Sequence, residues 1–81
     1  MTSMTTARLE FLVEPFVVNE PGPHVTAVID TVEAAGLSPD MGPCATTADG
    51  DLDQVIAAVE QLLRAGFAAG ATSIQLRVES R

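Results

Sequence analysis

The sequence predicts an α+β fold, with two helices on one face of an antiparallel four-stranded sheet. Three observations carry this. Two segments alternate apolar and polar residues with the period of a strand, two others repeat apolar residues with the period of a helix, and with two short strands between the helices the order is β-α-β-β-α-β.

The first strand is expected over residues 8–14. Leu9, Phe11 and Val13 fall on one face, and Glu10, Leu12 and Glu14 on the other. Pro15 ends the alternation. After the breaker cluster Asn19, Glu20, Pro21, Gly22 and Pro23, the residues Val25, Val28, Ile29 and Val32 take helical spacing, which predicts a helix over 23–35. Pro23 suits its first turn, where no N–H is needed, and Gly36 suits the left-handed position after its end.

A second strand is expected over 37–41, at an edge because Pro39 removes a ladder donor. Gly42-Pro43 turns the chain into a brief third strand over 44–48, whose register is open: the pattern does not say whether Thr46 or Thr47 faces the core. Asp49-Gly50-Asp51 leads into the strongest periodic signal, the stripe Leu52, Val55, Ile56, Val59, Leu62, Leu63 and Phe67, a helix ending near Ala69 before Gly70. The last strand, over 72–80, alternates Ile74, Leu76 and Val78 with Ser73, Gln75, Arg77 and Glu79. This is the ferredoxin-like arrangement, with the first and third strands central. Its open sheet face carries Glu10, Leu12, Glu14, Gln75, Arg77 and Glu79, and plain surface, subunit contact and ligand site are all open uses of such a face.

With 81 residues, the chain makes one domain with little core to spare, so oligomerisation is expected to add burial. Residues 1–7 are expected to form a flexible tail and residues 8–81 the domain. The Thr/Ser-rich start lacks the basic and apolar regions of a secretory signal, and no apolar run reaches the length of a membrane span, so a soluble cytoplasmic protein is expected. Four arginines, no lysines and eleven acidic residues give a net charge of −7. That balance argues against nucleic acid and anionic membranes as partners, and it permits a cationic ligand.

No catalytic constellation and no metal site are expected. His24 stands at a helix start, where a neutral surface or capping imidazole is the ordinary reading; Cys44 has no sequence-visible base to activate it and cannot close an intrachain disulfide alone. A phosphate-cradling loop of the acylphosphatase kind would require an arginine, and residues 14–23 hold neither Arg nor Lys.

Three stretches, LEFLVEPF, MGPCATTADGDLDQV and GATSIQLRVE, together resemble the thiamine-binding (YkoF-like) family over nearly the whole chain. The middle stretch is the most specific, although this chain has Ala48-Asp49 where the family usually has Glu immediately before the glycine. The resemblance implies a ferredoxin-like domain that assembles as a homodimer or homotetramer. It also implies binding of thiamine or its hydroxymethylpyrimidine portion as a ligand, not as a catalytic cofactor, for buffering or delivery of the vitamin.

An aminopyrimidine wants a carboxylate or amide oxygen and a hydroxyl around an apolar slot. Glu10, Glu14, Gln75, Thr46 and Thr47 supply those types and are the candidate ligand residues. Phe11 and Phe16 are the rings nearest in sequence for a thiazolium, Phe11 being placed with the core. The alternative function is a regulatory or oligomerisation module acting through the open sheet face.

Overall fold

The structure, a computed structural model, describes residues 5–15, 22–42 and 45–81. Its elements are β1 (Thr6–Glu14), α1 (Pro23–Ala34), β2 (Asp40–Met41), β3 (Thr46–Asp51), α2 (Leu52–Ala68) and β4 (Ser73–Ser80). The strands form one antiparallel sheet in the order β2-β3-β1-β4, so β1 and β3 are central as expected. The fold is the expected ferredoxin-like α+β arrangement.

Alternation along β1 sets the two faces. Ala7, Leu9, Phe11 and Val13 are buried beneath the helices, while Arg8, Glu10, Leu12 and Glu14 point to the open face. The strand begins two residues earlier than its sequence pattern suggested, and Ala7 is 1% exposed. Thr6 and Ala7, expected in a flexible tail, are therefore strand, held by the Thr6↔Asp51 and Ala7↔Ser80 pairings. Alanine, too small to stand out as an apolar position, hides this extension in the sequence.

β3 is likewise longer toward its C-terminal end. Asp49, Gly50 and Asp51, which read as a loop, pair with Arg8, Ala7 and Thr6. Gly50 is required there by packing, because a Cβ would collide with the Leu37 side chain. Asp51 then caps α2: its side chain accepts from the Asp53 N–H, and the Gln54 side chain accepts from the Asp51 N–H. This reciprocal box satisfies donors that a helix start leaves open. β2 is shorter than expected, Asp40–Met41 only, with Leu37 buried in the preceding connection. Gly36 and Gly70 end the two helices with φ of 93° and 108°. Phe16, Pro43 and Cys44 lie outside the described residues.

The stripe on α2 sits differently from its sequence reading. The buried line is Val55, Ala58, Leu62 and Gly66, with Leu52, Val59 and Leu63 half-buried beside it, whereas Ile56 and Phe67 are 57% and 51% exposed. The cause is close approach. A Cβ at Gly66 would lie 2.7 Å from Ile74 Cδ1 and 3.0 Å from Val28 Cγ2, so the smallest residue marks where α1, α2 and β4 converge.

Leu62 is fully buried and Gln61 exposed. Leu62→Ala should therefore cost about 2–5 kcal/mol, and Gln61→Ala within about 0.5 kcal/mol of nothing. Urea unfolding of both variants measures this, and equal midpoints would contradict the packing described.

Candidate functional site

The even-numbered residues of β1 meet the odd-numbered residues of β3 and β4 on the open face. Arg8 is opposite Asp49 and Glu79, Glu10 opposite Thr47 and Arg77, Leu12 opposite Gln75, and Glu14 opposite Ser73. Four of the five candidate residues, Glu10, Glu14, Thr47 and Gln75, thus share one face around Leu12.

Thr46 does not join them. It is 7% exposed, pairs with Phe11, and lies on the helix side of the sheet with Ala48. Adjacent residues of a strand point to opposite faces. The register set by β1 thus assigns Thr47 to the open face and Thr46 to the core side.

The carboxylate of Glu14 is positioned by β4. Ser73 Oγ donates to its Oε2 at 2.7 Å, and Gln75 Nε2 stands 3.5 Å from its Oε1. Glu10 is exposed, and among the described residues its side chain has no hydrogen-bond partner, which leaves its oxygens available as acceptors. Arg8 holds Asp49 in a two-pronged pair, Nε to Oδ1 at 2.8 Å and Nη2 to Oδ2 at 3.0 Å. Arg77 lies 3.3 Å from Glu79. The face therefore presents Glu10, Glu14, Asp49 and Glu79 against Arg8 and Arg77, and both cations already have carboxylate partners.

A shallow hollow of about 200 Å³ opens here, lined by residues 10–12 of β1, residues 75–77 of β4 and Ala45. A smaller one of about 80 Å³ adjoins it, lined by Arg8, Glu10, Thr47, Arg77 and Glu79. A larger depression, about 530 Å³, is a groove on the helix layer lined by Thr31, Ala34, Ala35, Gln54, Ala57 and Gln61. That groove offers amides and methyl groups but no charge. The sheet face offers carboxylates, a hydroxyl and an amide over an apolar residue.

Of the residues considered for chemistry, His24 donates from Nε2 to the Pro15 carbonyl, tying the start of α1 to the end of β1. Among the described residues no three His, Cys, Asp or Glu side chains gather as a metal site, and no helix is long and apolar enough to cross a membrane. Arg8 and Asp49 were not singled out in the sequence. The alternation of β1 already places Arg8 on the open face, but its partner follows only from the β1–β3 register.

The fold is a ferredoxin-like sheet with one open face that is polar around Leu12. The chain belongs to the thiamine-binding protein family, whose model matches residues 9–81. Among solved structures, a domain of unknown function from Bacillus cereus is similar at 21% identity and a TM-score of 0.67, covering 100% of this chain and 80% of that one. A hypothetical protein from Methanocaldococcus jannaschii is similar at 13% identity and a TM-score of 0.65, covering 95% and 77%. A protein from Thermotoga maritima described as a candidate for thiamine biosynthesis or salvage is similar at 21% identity and a TM-score of 0.58, covering 94% and 84%. At these identities the structures speak for the fold. No curated protein matches the chain.

The Asp49 carboxyl is held below its ordinary value of 3.8, first by the hydrogen bond from Arg8, against a smaller opposing effect of desolvation. Its stabilisation is present above the unfolded carboxylate range and is lost as pH falls through the lower folded value. Asp49→Asn should therefore flatten the acid limb of the melting-temperature profile between roughly pH 4 and pH 2. Thermal melts across that window check this, and superimposable profiles for the two proteins would contradict it.

Proposed function

We propose that this protein binds thiamine or its hydroxymethylpyrimidine portion on the open sheet face, without catalysis, as a cytoplasmic buffer or carrier of the vitamin. The observation that carries the reading is the convergence of Glu10, Glu14, Thr47 and Gln75 around Leu12 on that face. Family membership gives it its ligand class.

The chemistry assigns each residue a part. The exocyclic amino group donates to Glu14, already oriented by Ser73, or to the unpartnered oxygens of Glu10. The Thr47 hydroxyl and the Gln75 amide can each donate to a ring nitrogen. Leu12 lies under the ring as the apolar floor. The thiazolium is favoured by the excess of carboxylates, and the same excess disfavours the diphosphate ester. Assembly as a homodimer or homotetramer belongs to this reading, since neither open-face hollow alone reaches the roughly 300 Å³ typical of a small-molecule pocket.

Calorimetric titration with thiamine should show Thr47→Val weakened about threefold to tenfold, the loss of one neutral hydrogen bond of about 0.5–1.5 kcal/mol. Glu14→Gln should lose more, because a charge-assisted bond is about twice as strong. Thr46→Val should keep its affinity and change only the melting curve. Unchanged affinity in Thr47→Val and Glu14→Gln, with the fold intact, would place the site elsewhere.

A further inference from the structure

One end of the open face carries a checkerboard of charge. Across the three strands Asp49, Arg8 and Glu79 form one row and Thr47, Glu10 and Arg77 the next, so opposite signs alternate along rows and columns, with Thr47 the neutral corner. Three carboxylates, Glu10, Asp49 and Glu79, thus share two guanidinium groups, and one carboxylate is left over.

The pairs that form decide which one. Arg8 clasps Asp49 with two hydrogen bonds, and its guanidinium is held above its ordinary pKa first by that contact, with smaller effects of the same sign from Glu79 and Glu10. Glu79 lies directly opposite Arg8, yet its ion pair is with Arg77, at 3.3 Å. Arg77 has a second carboxylate in reach. Glu10 stands directly across the ladder, within about 5.5 Å at Cα, whereas Glu79 is two residues along the same strand, about 6.7 Å away. The nearer carboxylate is the one that Arg77 leaves free. Its side chain is 71% exposed, and ion pairs this open are weak, so a small change in the surrounding charges moves the guanidinium from one carboxylate to the other.

We propose that Asp49 and Glu79 are positioning residues: by holding Arg8 and Arg77 they keep both guanidinium groups off Glu10, which stays an open acceptor at the border of the two hollows. The pairs act as a chain. When Asp49 loses its charge, Arg8 turns to Glu79, Arg77 is released to Glu10, and the acceptor is filled. That Glu10 receives a cationic ligand rests on the functional reading above, while the distribution of the two arginines does not.

A ligand-free measurement tests that distribution. In the nitrogen-15-labelled protein, the Nε–Hε cross-peak of Arg77, identified by its loss in Arg77→Gln, should move in Glu79→Gln and hardly in Glu10→Gln. Once Glu79 is replaced, adding Glu10→Gln should move it strongly. Calorimetric titration with thiamine at low salt then reads the consequence: Asp49→Asn and Glu79→Gln should each weaken binding about twofold to fivefold, the scale of an exposed ion pair. Adding Arg77→Gln should restore the affinity of both. Adding Arg64→Gln, which changes the net charge equally but lies on α2 beside Glu60, should not. An Arg77 peak that answers to Glu10→Gln as strongly as to Glu79→Gln, or equal rescue by Arg64→Gln, would overturn the proposal, as would unchanged affinity in both carboxylate variants. A chain that shows the expected cross-peak shifts but does not bind thiamine would uphold the distribution of the arginines and count only against the ligand reading.

Discussion

The strict period of β1 is the constraint on which the rest of this structure depends. Ala7, Leu9, Phe11 and Val13 must lie under the helices, and this forces Arg8, Glu10, Leu12 and Glu14 onto the opposite face. A slip of one residue would carry charged groups into the core, at a cost far beyond the stability of a domain this small. Core and candidate site are therefore two sides of one strand. Because β1 is central, its register also fixes which residues of β3 and β4 join that face: Thr47 and not Thr46, and Gln75 and Arg77 and not Leu76.

What the sequence discloses follows from that physics. Large apolar residues alternating over a long run disclose β1 and β4, and the glycines after α1 and α2 disclose their ends, where φ is positive. Small residues conceal structure. Ala7 hid two residues of strand, and Ala58 and Gly66 hid the line along which α2 is buried, so Ile56 and Phe67 read as core when they are exposed. Asp49-Gly50-Asp51 has turn chemistry, yet it pairs with β1, and the glycine is needed there to make room for Leu37. Four of the five candidate ligand residues share a face, and the fifth was undecidable because a strand as short as β3 shows no alternation of its own.

Charge gives the open face its character. Arg8 and Arg77 are each engaged by a carboxylate, Asp49 and Glu79, while Glu10 is left to face solvent. A face that has neutralised its own cations and kept surplus carboxylates attracts a cation and repels a polyphosphate. With three Phe and no Trp or Tyr in the chain, the character of this face is set by charge and hydrogen-bonding groups. Exposed apolar surface remains on β4, at Leu76 and Val78.

The central claim is that the ligand lies on the sheet and not in the wider groove on the helix layer. Amide chemical-shift mapping of the isotopically labelled protein during titration with thiamine tests this most directly. Saturable shifts concentrated at Glu10, Leu12, Thr47, Gln75 and Arg77 are the result the account predicts. Shifts concentrated instead at Thr31, Ala35, Gln54 and Gln61, or no saturable shifts at all, would contradict it.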